Sequence, residues 1–472
     1  MKQFLFTITA VLSSVIAFSQ QDFSGTWEGS LNVGVALQLD FHLSKNADSW
    51  QASIDCPQQQ IKGLKASSVT ITADSIQIEV KQIGGNYSGK LSNDTTINGS
   101  WKQGVTIPLV LKKVKEATAL KRPQTPQPPF PYTSEDVVYF NKDKSIQYGA
   151  TITIPQGKGP FPAVLLITGS GQQNRDEEIM GHKPFAVIAD YLTRKGYVVL
   201  RVDDRGKGQT TGDVLNATSR DFANDAEVSL DYLKDRKETD DHKIGLIGHS
   251  EGGMIAEMIA AERKDISFII LLAGPGVKIT QLMMEQNNAF RASAGWSEEY
   301  VNHFATLYQS LITAIGQASS RDEARKNANS VVSDWIAKTP EHIVTATTAI
   351  NDEQSKERFI DQWVLQVSNP WFKYFINYDP DPYVRQISAK VLALNGDKDI
   401  QVLSKSNLAG LEASLKKSKS KLYEVKEIPG VNHLFQHCKQ CTVAEYGQLE
   451  ETFAPEVLDI MAAWLQKAVG SR

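Results

Sequence analysis

The chain has 472 residues, 41% of them apolar and 22% charged, with a formal net charge of -4. That length exceeds one hydrophobic core and predicts two or three domains. The slightly acidic balance supplies no basic surface, which excludes nucleic acid as an expected partner.

Met1-Lys2-Gln3 and the apolar run from Phe4 to Phe18, closing on Ala17-Phe18-Ser19, read as a signal peptide over residues 1–19. The run is too short to span a bilayer, and no cysteine follows the cut to carry a lipid. A periplasmic or secreted protein without a membrane span is expected.

Residues 20–115 carry short alternating runs such as Val35-Ala36-Leu37-Gln38-Leu39-Asp40-Phe41 and Ser75-Ile76-Gln77-Ile78-Glu79-Val80, separated by Gly, Asn and Asp turns. The period of two predicts an all-β domain, lipocalin-like or a small barrel, with Trp27 and Trp101 in its core. Residues 116–135 contain Pro123, Pro126, Pro128, Pro129 and Pro131, a composition that favours extended backbone and resists packing, and read as a linker.

From 136 to 472 the pattern changes to buried-strand runs alternating with helical segments. The runs are Ala163 to Ile167, Tyr197 to Leu200, Lys243 to Ile247, Phe268 to Leu272 and Val391 to Leu394. Such alternation predicts a mostly parallel sheet covered on both faces, with its chemistry at the carboxyl ends of the strands. A stretch over about 277–388, rich in helix formers and carrying Trp296, Trp335, Trp363 and Trp371, reads as a helical cap whose aromatics serve packing.

Gly248-His249-Ser250-Glu251-Gly252 fits G-x-S-x-G, with a strand before it and a helix after it. A serine on that sharp turn needs small neighbours, and its hydroxyl needs a base of near-neutral pKa. In chain order the acid and then the histidine should follow. Only His433 and His437 lie late enough, and His433 sits in a turn directly after the strand-like Leu422 to Ile428, whereas His437 lies one helical turn further on. Asp397 and Asp399 compete for the acid, and the Gly-x-x-Asp spacing favours Asp399. The oxyanion donors are expected to be the backbone N–H of Glu251 and, from Thr168-Gly169-Ser170-Gly171, that of Ser170 ahead of Gly171. The charged continuation Gln172 to Glu177 and the turn Asp203 to Gly208 suggest ion pairs that brace the site. His249 is expected to face the packed side of the elbow. Cys438 and Cys441 lack a second ligand pair for zinc, so a loop with or without a local disulfide is expected, with no metal and no organic cofactor.

Five stretches carry a family resemblance: Gly169-Ser170-Gly171 with Asn174-Arg175-Asp176-Glu177, Arg201 to Gly206, the elbow, Gly396 to Asp399, and Asn432-His433-Leu434-Phe435. On them the region from about 135 to the end resembles bacterial α/β-hydrolase-fold esterases of the EstD-like carboxylesterase group. The resemblance implies hydrolysis of short-chain carboxylic esters and a triad of Ser250, Asp399 and His433. Thr168 stands where many hydrolases place histidine, which sets the oxyanion loop apart. Two other functions compete: a serine peptidase of the same fold, and a non-catalytic envelope or glycan-binding protein, against which the intact triad counts.

Overall fold

A computed structural model describes residues 22–46, 49–59 and 61–470. The expected signal peptide lies outside these residues. The chain divides into two compact units, residues 1–119 and 120–472.

Unit 1 is an antiparallel sheet of nine strands among the described residues. They are β1 (Gly25–Asn32), β2 (Ala36–Asn46), β3 (Ser49–Cys56), β4 (Ile61–Lys65), β5 (Ser68–Thr72), β6 (Ser75–Val80), β7 (Gly85–Asn93), β8 (Thr96–Gln103) and β9 (Val105–Val114). The hydrogen-bonded order is β4-β3-β2-β1-β9-β8-β7-β6-β5, so consecutive strands β4 and β5 form the two edges. The sheet is therefore a half-barrel rather than a closed one. Its alternation puts Trp27, Phe41, Ile78, Tyr87 and Leu111 into a core with almost no exposure. Trp27 and Trp101 are both buried there, and the Trp27 indole N–H is satisfied by the Phe23 carbonyl at 2.8 Å.

Unit 2 holds an eight-stranded sheet among the described residues. Along the chain run β10 (Thr133–Phe140), β11 (Gln147–Ile154), β12 (Phe161–Ile167), α1 (Pro184–Arg194), β13 (Val198–Val202), α2 (Ser219–Lys234), β14 (Thr239–His249), α3 (Glu251–Glu262) and β15 (Phe268–Leu272). A helical insertion follows: α4 (Ile279–Ser293), α5 (Glu298–Gly316), α6 (Arg321–Lys338), α7 (Glu341–Thr348), α8 (Glu353–Val367), α9 (Pro370–Ile376) and α10 (Pro380–Val384). The chain then returns through β16 (Lys390–Gly396), α11 (Ser404–Leu415), β17 (Tyr423–Ile428) and α12 (Pro455–Val469).

The sheet order is β10-β11-β13-β12-β14-β15-β16-β17, antiparallel over β10/β11/β13 and parallel from β13 to β17. This is the α/β-hydrolase arrangement with a helical cap. Strands β12 and β15 are buried at every residue, as expected where helices cover both faces. Helices α5, α6 and α8 of the cap begin at side-chain caps: Ser297 accepts from Tyr300 N, Ser320 from Glu323 N and Asp352 from Ser355 N. On α5, Phe304, Leu307, Tyr308, Leu311, Ile312 and Ile315 fall at helical spacing and pack inward.

From Leu120 onward the proline-rich stretch belongs to unit 2 and is bonded to it. Arg122 donates to the carbonyls of Met180, Gly447 and Leu449 at 2.8–3.0 Å, and Gln124 donates to that of Phe453 at 2.7 Å. The stretch turns at residues 123–125, and its polar side chains supply the attachment.

Candidate functional site

Ser250 lies between the end of β14 and the start of α3, with φ 53° and ψ -118°. A non-glycine residue in that region costs about 1–3 kcal/mol and persists only where the surroundings enforce it. Two glycines do so. A Cβ on Gly248 would come within 2.0 Å of the Gly252 carbonyl oxygen, and one on Gly252 within 2.1 Å of that of Ile167. Only bare backbone lets α3 start so close to both β14 and β12, and the Ser250 N–H is tied to the Leu272 carbonyl of β15 at 2.8 Å.

His433 follows β17 in a turn held by Asn432, whose side-chain oxygen accepts the N–H groups of Leu434 and Gln436, both at 3.0 Å. Its Nδ1–H donates to Asp399 Oδ2 at 2.7 Å, and both residues are buried. The other Asp399 oxygen accepts the N–H groups of Gln401 and Val402, at 2.7 and 2.9 Å. Asp397 instead accepts the Gly430 N–H at 2.6 Å and pairs with Lys398. It is a turn-forming residue, and the structure brings Asp399 to the histidine. His437 is partly exposed and pairs with Glu451 and Glu456, away from this group.

Ser250 and His433 line one cavity of about 370 Å³, together with Ser170 and Glu251. One wall is apolar, formed by Ile279, Leu282 and Met283 of α4 and Phe372 and Phe375 of α9. Among the described residues no acceptor takes the backbone N–H of Ser170 or Glu251. Gly169 is already committed, donating its N–H to Glu177 Oε1 at 2.6 Å. Gly171 lines a separate cavity of about 60 Å³ with Asp203, Asp204 and Arg205. Glu251 also starts α3, where the helix N-terminus favours negative charge.

The charged stretches brace this loop as their composition suggested. Arg175 holds Asp203 through Nη2 at 2.7 Å and Nε at 3.1 Å, and Arg201 pairs with Asp176. Asp203 pays for burial, yet the Arg175 hydrogen bonds outweigh it and lower its pKa. Among the described residues Asp204 pairs with no Lys, Arg or His side chain. Burial pushes its carboxyl up to about 7, the negative charges of Glu177 and Glu251 add to the rise, and hydrogen bonds from Thr168 and Gln173 oppose it.

An unfolded aspartate loses its proton near 3.8, whereas Asp204 keeps it in the folded chain up to about 7. Its contribution to stability is therefore full below about pH 4 and is lost as the pH rises to about 7, an effect on the order of a few kcal/mol. Asp204→Asn should flatten the fall in thermal midpoint between about pH 4 and pH 7. An unchanged slope in the variant would show that Asp204 is ionised throughout.

Several contacts of the site emerge only from the structure. The Glu251 side chain is buried, with its Oε1 accepting from Ser219 Oγ at 2.6 Å and from Trp371 Nε1 at 2.8 Å. Burial raises its pKa against these bonds and one from the Ser170 hydroxyl. Trp371 of α9 thus lines the cavity and reaches the elbow, where the sequence reading of the cap's aromatics expected packing. Tyr446 lines the cavity beside His433 and accepts from Gln401 at 3.0 Å through its hydroxyl. His249, expected on the packed side, is buried and lines the cavity, bonded to Glu177 and to the His433 carbonyl. Cys438 and Cys441 are joined in a disulfide.

The family model described as X-Pro dipeptidyl-peptidase (S15 family) matches residues 144–424. Esterase EstD of Thermotoga maritima is 25% identical over 320 residues, 67% of this chain and 65% of EstD. This relationship is the one the five motif stretches suggested. Among solved structures, hypothetical protein PA2218 of Pseudomonas aeruginosa aligns at 15% identity and a TM-score of 0.43 over 75% of this chain and 98% of its own. Pyrococcus furiosus esterase Pf2001 aligns at 16% identity and a TM-score of 0.41 over 72% of this chain and 92% of its own.

Proposed function

The chain belongs to the X-Pro dipeptidyl-peptidase (S15) family, and on that premise we propose that it is an exported serine hydrolase cleaving short-chain carboxylic esters. The observation that carries this reading is the single cavity that unites Ser250, the Asp399-bonded His433, the uncommitted N–H groups of Ser170 and Glu251, and an apolar wall. Relationship to an esterase supports the choice of bond.

In the proposed cycle His433 Nε2 takes the Ser250 hydroxyl proton as Oγ attacks the ester carbonyl. Asp399 accepts from Nδ1, which fixes the tautomer that leaves Nε2 free to act as base. The Ser170 and Glu251 N–H groups receive the oxyanion. Collapse expels the alcohol with the proton from His433, leaving acyl-Ser250, and water activated by His433 then releases the acid. Every proton and charge in this cycle is handled by groups of the chain itself.

The family's name makes peptide cleavage the second reading. Recognition of a peptide amino terminus requires a carboxylate free to meet an ammonium group. The carboxylates lining the cavity are Glu177 and Glu251, and each meets internal donors through its Oε1, Glu177 from Gly169 and His249 and Glu251 from Ser219 and Trp371. An apolar acyl group fits the remaining wall better. Export is supported by the leader-like residues 1–19 and by the Cys438–Cys441 disulfide, which suits an oxidising compartment.

The test is a panel of p-nitrophenyl acyl esters of increasing length beside aminoacyl and X-Pro p-nitroanilides, assayed with the purified chain. Turnover should be confined to the esters and fall with acyl length. Preferential cleavage of the X-Pro anilides would replace the ester reading with the peptidase one.

A further inference from the structure

Directly before the proposed nucleophile stands a second carboxylate–imidazole pair. Glu177 Oε1 lies 2.9 Å from His249 Nδ1 and 2.6 Å from the Gly169 N, and His249 Nε2 lies 3.0 Å from the His433 carbonyl oxygen. The chemistry of these partners dictates the protonation. Gly169 N–H and the His433 carbonyl can only donate and only accept, respectively, and one carboxylate oxygen serves both Gly169 and His249. A neutral imidazole has one N–H and cannot satisfy both of its neighbours unless Glu177 itself holds a proton. Besides the proton on Nε2, the geometry therefore calls for one held between His249 Nδ1 and Glu177 Oε1.

The connections are as informative as the proton. Gly169 belongs to the loop that carries the Ser170 N–H, His433 is the proposed base, and His249 is joined covalently to Ser250. We infer that Glu177 and His249 act as positioning residues, a proton-holding strut that sets the oxyanion loop and the histidine loop at fixed places on either side of the elbow. This rests on the serine-hydrolase reading and adds to it two residues that touch no substrate atom in the proposed cycle.

Burial opposes a charge on His249, but the Glu177 carboxylate, the His433 carbonyl and the charge of Asp399 together raise its pKa. Other titratable groups around the strut are His433 on the loop after β17, Tyr446, Asp204 beyond Glu177, and Glu251 at the start of α3. Loss of the proton at alkaline pH breaks one of the three bonds and loosens one loop. Glutamine at 177 does the same at lower pH, because it keeps the shape while removing the counter-charge of a buried imidazolium.

The experiment uses the full chain with Glu177→Gln, His249→Asn and the double variant, each titrated for reactive Ser250 with a phosphonate. Turnover is expressed per titrated site, so a poorly folded fraction does not enter it. Each single change is expected to lower kcat about ten- to a hundredfold, as small misplacements of reacting groups do, with KM within about twofold. The double variant should resemble the worse single one, since the two residues act as a unit. In Glu177→Gln the alkaline limb of kcat should move down by at least about one pH unit. Unchanged kcat per site, losses that multiply in the double variant, or an alkaline limb that stays in place would each overturn the strut. A wild-type chain that neither reacts with the phosphonate nor turns over ester would instead fail the hydrolase reading on which the strut depends.

Discussion

Ser250→Ala is expected to reduce ester turnover by at least about a thousandfold while leaving the fold intact. The substitution keeps the Cβ and the backbone bond to Leu272, and the hydroxyl it removes faces the cavity rather than the core. The strained dihedrals are imposed by the approach of Gly248, Gly252 and Ile167, none of which changes. Circular dichroism and the unfolding midpoint should therefore match those of the unmodified chain. Stoichiometric labelling of the unmodified protein by a serine-directed phosphonate, mapped to residue 250, completes the measurement. Residual activity above a few per cent, or a label elsewhere, would remove Ser250 from the nucleophile's role.

Asp399→Asn carries the second large effect, and its direction follows from the hydrogen bonds. The Gln401 and Val402 N–H groups converge on one oxygen of the carboxylate, so in asparagine that position keeps the carbonyl oxygen. The amide NH2 must then face His433 Nδ1, which the present carboxylate meets as an acceptor at 2.7 Å. His433 is driven to the tautomer with its proton on Nε2, where it cannot accept one from Ser250. A fall in kcat of about ten-thousandfold is expected, as for loss of the orienting carboxylate in other triads. Asp397→Asn retains an oxygen for the Gly430 N–H and should cost far less. Comparison of kcat for the two variants with one short-chain ester decides the matter, and the reverse ranking would exchange their roles.

The elements that place the site were legible because each has a local cause. Buried strands such as Val164 to Ile167 declare themselves through uninterrupted β-branched and aliphatic residues, and the elbow through glycines at fixed offsets from Ser250. The half-barrel strands follow from alternation, although the failure of β4 and β5 to pair could not be read from either strand alone. Asp399 was separable from Asp397 only by spacing until the loop geometry put its Oδ2 on His433.

What the order of residues determined by itself was the set of short-range constraints: where strands and helices begin, which serine can occupy a strained turn, and which late histidine follows a strand. Tertiary structure alone decided the contacts that close over long separations. Glu177 meets His249 across 72 residues, Trp371 meets Glu251 across 120, and His249 meets the His433 carbonyl across 184. A hydrogen bond depends on distance and direction in space, and no periodicity along the chain encodes either once the two partners belong to different loops. Residues such as Glu177 and His249 therefore look like ordinary loop charge and elbow packing in the sequence, and acquire a role only when the sheet brings their strand ends together.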